Sequence, residues 1–468
     1  MIHILDDDSL LNIFRLCQPF LLGEDQGVNG RFEGGGRWVG ERWWYRPAHV
    51  CQRWRNLILG SASYLGLCIV CANGTPVADM LAHSPPLPLV IDYQGTDITT
   101  EDEEAIILAL EQLDRVRRIR FNLPILKLQK LTMAIDGEYS VLEYLILWVP
   151  RKDKNRVLTL PETLQMPRLR HLTINCSIPI RFQILTTTVG LVALHLALYH
   201  KSTYFQPAVL LQSISLMPQL EMLLVNFHMA ITDRDVERQL MRTPITTHAT
   251  LPSLRVFTFQ TASSYSEAVL SRIIAPRLED FQICYPRRLT FSVPQLLQFM
   301  RRTEKFRFER VGVHFESERV YVYVNPRETN MQEDAFSVNV DCRHLDQQAS
   351  SVAHIFDGLS QLLSAVEHLS FVHKVHSRSS EEHNRVDRAE WRKLLRSFSN
   401  VKTLRVRRGL VDELSRCLRL EDGEPSLQVL PELQELTYSG SSNTIGAFTS
   451  FIDARQKAGH PVTLINHK

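Results

Sequence analysis

Apolar residues recur at helical spacing in two places near the N-terminus. Leu10, Leu11, Ile13 and Phe14 fall close to one face of a helix that Asp6 or Asp7 can cap and Pro19 ends. Val50, Cys51, Trp54, Leu57 and Ile58 form a second such stretch. Between them, residues 23–40 hold seven of the chain's twenty glycines. Burial cannot offset so much backbone freedom, so the pattern predicts a flexible insert over 22–42 within a helical module of residues 1–62.

Farther along, the period shortens. The pattern Pro-x-Leu-x-x-Leu/Phe-x-apolar begins at Pro167, Pro218, Pro252, Pro276 and Pro431. Looser copies occur at Val116-Ile119-Phe121, Leu142-Leu145-Leu147, Leu191-Leu194-Leu196, Val366-Leu369-Phe371 and Val401-Leu404-Val406. Successive copies lie 22 to 35 residues apart, apart from one interval of 88. In each copy the last two apolar residues point to one face of a short strand and the residues between them to the other. Helix-like stretches separate the copies: Glu101–Leu113, with Thr100 and Glu103 placed as a capping box, then Val209–Leu216, Ser266–Ile274, Val352–Ser364 and Arg388–Phe398. Strand, crossover and strand in repetition predict an α/β fold with a right-handed stack and a parallel sheet on its inner surface. The long interval alternates differently. Phe306, Phe308, Val311, Val313 and Phe315 are followed by Val320, Val322 and Val324, which predicts an antiparallel hairpin insertion at about 304–342. Phe336, Val338 and Val340 offer a third strand, and the hairpin is expected to cap the stack or to help form its binding surface.

These repeats resemble leucine-rich repeats in period, over residues 63–468. Ser177, Tyr199 and His228 stand where that family carries an asparagine ladder, so an irregular solenoid is expected. The N-terminal module has a resemblance of its own. Leu5-Asp6-Asp7-Asp8-Ser9-Leu10-Leu11-Asn12-Ile13-Phe14 resembles the opening of an F-box, and Val50-Cys51-Gln52-Arg53-Trp54-Arg55-Asn56-Leu57 its closing segment. Asp6 stands where the family has proline, and the glycine-rich insert separates halves that are nearly contiguous elsewhere, as in large fungal F-box families. The resemblance implies a substrate-receptor subunit of an SCF-type cullin ubiquitin ligase. Leu5, Leu10, Leu11, Ile13, Phe14, Val50 and Trp54 match the family's apolar pattern and divide between adaptor contact and the module's core. The partners implied are a Skp-type adaptor, through it a cullin, and an unknown target protein. No membrane or nucleic-acid partner is expected, and outside the complex a monomer. The alternative is a non-catalytic repeat scaffold whose degenerate F-box does not engage the ligase.

Composition narrows the field without choosing within it. The 468 residues are 44% hydrophobic and 22% charged, which excludes wholesale disorder, and a formal charge of +2 gives no global pull toward nucleic acid. Eight scattered cysteines read as free thiols; with an acidic N-terminus and no spanning apolar run, the expectation is cytoplasm or nucleus. Cys68 and Cys71, with His83, lack the second pair of a structural zinc site. His368, His373 and His376, Asp6–Asp8 and Gly34–Gly36 match no metal or phosphate site, and no nucleophile elbow or His-Glu-x-x-His occurs. No enzyme activity, metal or cofactor is expected.

Residues 373–408 carry eleven Lys/Arg against four carboxylates. They are read as a solvated face, with an acidic partner or nucleic acid as the alternative. Strand alternation predicts the recognition row: Arg118, Arg120, Tyr144, Trp148, His171, Asn175, Arg405 and Arg407 for the target. Ile146, Thr173, His195, Asn226, Thr258, Gln260, Asp280 and Gln282 lie beside them.

Overall fold

The computed structural model describes residues 5–17, 43–96, 98–150, 157–176, 185, 187–201, 205–227, 232–242, 244–286, 293–303, 308–324, 336–373, 388–419, 428–439 and 446–466. Pro19, the insert 22–42, Ser177, His228, Phe306, His376, Lys374, Arg378 and Arg385 lie outside them. The chain is α/β with a mostly parallel sheet, and it divides into two compact units: residues 1–204 with 216–220, and residues 205–215 with 221–468.

The first unit opens with helices α1 (Asp7–Leu16), α2 (Tyr45–Ala48) and α3 (Gln52–Gly60). Asp6 caps α1, its Oδ1 accepting the Ser9 N–H at 2.7 Å. Strand β1 (Ile69–Ala72), α4 (Val77–His83), β2 (Leu89–Gln94), α5 (Thr100–Leu110), β3 (Val116–Asn122), α6 (Ile125–Ala134), β4 (Tyr144–Trp148), β5 (His171–Asn175) and β6 (Ala193–Ala197) follow. The six strands lie side by side in chain order, and every pairing is parallel. Each repeat copy buries its apolar pair: Leu145 and Leu147, Leu172 and Ile174, Leu194 and Leu196. The residues between them are half-exposed on the other face.

The capping box of α5 sits one residue earlier than the spacing suggests. Thr99 Oγ1 accepts the Asp102 N–H and the Asp102 carboxylate accepts the Thr99 N–H, both at 3.1 Å. Asp102 also accepts the Gly74 N–H at 2.8 Å, tying the helix to the turn after β1. Glu103, the expected partner, instead accepts ion-paired hydrogen bonds from Lys127 and Lys130 of α6.

The second unit runs α7 (Pro207–Ser215), β7 (Met222–Asn226), α8 (Asp233–Arg242), β8 (Ala249–Thr250), β9 (Val256–Gln260), α9 (Ser263–Leu270), β10 (Ile273–Ile274), β11 (Asp280–Tyr285) and α10 (Pro294–Arg302). Then come β12 (Arg310–Phe315), β13 (Arg319–Val324), β14 (Phe336–Asp341), α11 (Leu345–Leu363), β15 (His368–His373), α12 (Arg388–Arg396), β16 (Thr403–Arg408), α13 (Val411–Leu418), β17 (Glu435–Ser439), α14 (Thr449–Lys457) and β18 (Thr463–Asn466). The helix expected over Ser266–Ile274 starts earlier, where Asp233 Oδ1 accepts the Ser264 N–H at 2.7 Å, and it stops at Leu270. Ile273 and Ile274 pair in parallel with Ala249 and Thr250.

The strand order in this unit's main sheet is β7-β9-β11-β14-β13-β12-β15-β16-β17-β18. The insertion is therefore not a cap; it lies inside the sheet. Strand β13 is antiparallel to both β12 and β14, so the chain reverses twice. The outer strands of this meander thus keep the polarity of their neighbours, β14 parallel to β11 and β12 parallel to β15.

Charge pairs mark the entrances to the strands. Arg117 Nε donates to Glu143 and Arg255 Nε to Glu279, each at 2.9 Å, and Lys402 Nζ donates to Glu367 at 2.7 Å. Each joins neighbouring repeats, and the opposed signs favour one register.

The Lys127 and Lys130 hydrogen bonds, in that order, hold the Glu103 carboxyl below its ordinary value. A depressed carboxylate adds stability above its unfolded-state value and loses it as pH falls. Glu103→Gln should lower the urea midpoint at pH 7, and the gap from wild type should narrow below about pH 4. Urea melts at the two pH values check this; an unchanged gap contradicts it.

Candidate functional site

Two surfaces collect most of the residues singled out from the sequence. The first is on the helical module. Leu10 and Phe14 are 1% exposed and belong to its core, with Trp44, Ala48 and Ile58. Half-buried Trp54 meets Phe14 edge to face, ring centroids 4.9 Å apart. The two halves of the motif are clasped by Arg53, which donates to Asp7 Oδ1 and to the Leu5 carbonyl, each at 2.7 Å. Both members of that ion pair are solvated, so it contributes about 0.2–1 kcal/mol and the apolar contacts dominate.

The remaining apolar positions turn outward. Leu5, Ile13 and Val50 are exposed, and Leu11 is half-buried. Leu16, at 86% exposure, and Tyr64 join them, although neither belongs to the matched motif. Five of the twelve large exposed hydrophobic residues among those described thus fall between Leu5 and Tyr64. An open groove of about 840 Å³ lies beside Tyr64, lined by Asp8, Leu11, Asn12 and residues 59–64.

The second surface is the half-exposed face of the first unit's sheet. Parallel register places Arg118, Tyr144 and His171 in one row across β3, β4 and β5. The Arg118 guanidinium lies 5.1 Å from the Tyr144 ring centroid, and Tyr144 stacks on His171 at 4.3 Å with 6° between the planes. In the next row Arg120 Nη1 approaches Asp92 Oδ2 at 3.8 Å. Beyond it Asn122, Trp148 and Asn175 align. Trp148 is half-buried, whereas Asn175 is 4% exposed and its Oδ1 accepts the Tyr199 hydroxyl at 3.1 Å. Asn175 therefore positions Tyr199 and offers little surface itself.

Burial, more than the adjacent Arg170 and Arg118, pushes the His171 imidazole down to about 4. It is neutral at physiological pH and can stack on Tyr144 without bringing a second cation beside Arg118. Asp92 and Gln94, whose side chains hydrogen-bond at 2.9 Å, complete the face but escaped the sequence reading. Strand β2 is buried on both faces at Leu89–Tyr93, so it shows no alternation.

Arg405 and Arg407 belong to the second unit, on β16. Arg405 is exposed and Arg407 half-buried. His368 is held by Thr403 Oγ1 at 2.7 Å, and His373 is buried. Cys71 is buried in β1 and desolvation pushes its thiol up to about 12, so it is a packing residue. Among the described residues no cluster of three or more His, Cys, Asp or Glu is placed to hold a metal, and no helix is long and apolar enough to cross a membrane.

Neither a scan against models of known protein families nor a search of the curated proteins finds a match to this chain.

Phe14→Ala should cost about 3–5 kcal/mol, because a buried ring leaves a cavity. Ile13→Ala should stay within about 0.5 kcal/mol. Denaturant unfolding distinguishes the two; equal costs would contradict the division between core and surface. In an NMR titration His171 should change protonation near pH 4. Arg118→Met should raise that value while burial keeps it below the ordinary 6.5. Wild-type titration near 6.5 would contradict the stacked arrangement.

Proposed function

We propose that this protein is a substrate-receptor subunit of an SCF-type cullin ubiquitin ligase. The N-terminal helices act as an F-box that docks on a Skp-type adaptor, and the repeats act as an irregular leucine-rich-repeat-like domain that holds a target protein. The observation that carries this reading is the division of the motif residues. Leu10 and Phe14 hold the module together while Leu5, Ile13, Leu16, Val50 and Tyr64 remain exposed. Large apolar side chains that gather in one small module and give its core nothing favour a partner that covers them.

In this reading the protein performs no chemistry. It raises the effective concentration of a target beside the ligase's catalytic subunits, which requires both surfaces on one chain. Target contact is assigned to Arg118, Arg120, Tyr144, Trp148 and His171, and to Arg405 and Arg407. Aromatic and arginine side chains of this kind dominate interface energetics.

The scaffold reading, in which the module engages no adaptor, draws on Asp6. This residue occupies the family's proline position and serves as the α1 cap. Capture of purified adaptor–cullin complex separates the readings. Wild-type protein should retain the complex, and Ile13→Asp/Val50→Asp should lose it while unfolding at the same denaturant concentration. A folded wild type that captures no adaptor would overturn the ligase assignment in favour of the scaffold.

A further inference from the structure

The meander within the second unit changes the chemistry of the half-exposed face around Arg405. Register aligns Ser337, Tyr323, Gly312, Ser370, Arg405 and Thr437 in one row across β14, β13, β12, β15, β16 and β17. The next row aligns Asn339, Tyr321, His314, Val372, Arg407 and Ser439. Aromatic side chains therefore stand on β13, Gly312 and His314 on β12, Ser370 and Val372 on β15, and arginines on β16.

Each part is held in place. A Cβ on Gly312 would lie 2.0 Å from the Tyr323 ring, so only glycine lets that ring cross the neighbouring strand. The Tyr323 hydroxyl then meets His314 Nε2 at 2.8 Å. Arg319 covers the Tyr321 ring, 5.9 Å from its centroid, and donates to its hydroxyl at 3.2 Å. Among the described residues the face carries four arginines (Arg310, Arg319, Arg405 and Arg407) against three carboxylates, Glu316, Asp341 and Glu435. Glu316 and Asp341 flank Arg319, Asp341 at 3.8 Å, and Glu435 accepts the Thr437 hydroxyl at 2.9 Å, so all three lie away from Arg405. Arg405 projects from the middle of the arginine strand, exposed and flanked by Ser370 and Thr437.

We infer that this face binds an extended acidic segment of a protein, its carboxylates over Arg405 and Arg407 and an apolar side chain against Tyr321 and His314. The inference rests on the reading that the repeats recognise a target, and it names the target's chemistry. From β13 to β16 is three strand spacings, about 14 Å, which an extended segment spans in about four residues. Charge complementarity supplies the acidic preference. Nucleic acid fits less well. Glu316, Asp341 and Glu435 interrupt the basic track that a phosphate backbone would need.

The test uses the full chain and a fluorescein-labelled peptide, Phe-Gly-Ser-Gly-Glu-Glu, read by anisotropy at low salt. Arg405→Glu should weaken binding about tenfold or more. Tyr321→Ala should weaken this peptide while leaving a version with Gly for Phe unchanged. Arg238→Glu, on the exposed side of α8, should change neither, and thermal melts confirm that each variant folds. No peptide binding, or a loss below about twofold in folded Arg405→Glu, overturns the inference. So does tighter, Arg405-dependent binding of single-stranded poly-thymidine, which would make the face a nucleic-acid site. Adaptor capture run on the same samples tests the ligase reading separately, so a failure of either is recognisable.

Discussion

Parallel strands that alternate strictly between buried and half-exposed side chains tolerate one register. In β5, Leu172 and Ile174 are each 1% exposed while His171 and Thr173 face outward. A slip of one residue would send the polar pair inward and the apolar pair into water. Each large apolar side chain so displaced forfeits about 1.5–3 kcal/mol. Strands β4, β6 and β9 repeat this constraint, and the ion pairs at the strand entrances reinforce it. A second consequence falls on the other face. Because register is fixed, side chains that do not pack the core are set into rows, and the rows of the two units differ in chemistry. One stacks Arg118, Tyr144 and His171; the other leads from Tyr321 and Tyr323 to Arg405 and Arg407.

The helical module divides its residues by a different geometry. On α1, Leu10 and Phe14 are four apart and share the buried face, while Ile13 points away from it. Trp54 closes the core against Phe14, and Arg53 clasps the start of α1 across the long insert. A short helical unit with so small a core has little reason to leave Leu5, Ile13, Leu16 and Val50 exposed unless another surface covers them. Those exposed apolar side chains are what the adaptor reading explains.

Much of the fold was legible in the sequence, because the signal is periodic. All ten repeat copies form strands of the main sheets, and the two segments at helical spacing in the module form helices. The meander was legible as alternation, but its place inside the sheet was not. That depends on β14 and β12 keeping the polarity of β11 and β15, a long-range outcome. Strand β2 was missed because burial on both faces erases alternation. The capping box sits one residue earlier because adjacent threonines and carboxylates satisfy the same spacing, and the Gly74 contact to Asp102 and the lysine contacts to Glu103 choose between them. At the site, alternation placed Arg118, Tyr144 and His171 on one face, yet their stacking depends on pairing between strands 26 and 27 residues apart. Asn175 was read as surface because its position is outward; Tyr199, reaching back from beyond β6, covers it.

Affinity capture of the intact chain from its own cells, with protein abundances compared in cells lacking it, is the decisive measurement. A ligase receptor should bring down adaptor and cullin together with at least one further protein whose level rises when the chain is absent. Recovery of a stable partner without adaptor or cullin, its abundance unchanged by loss of the chain, would contradict it.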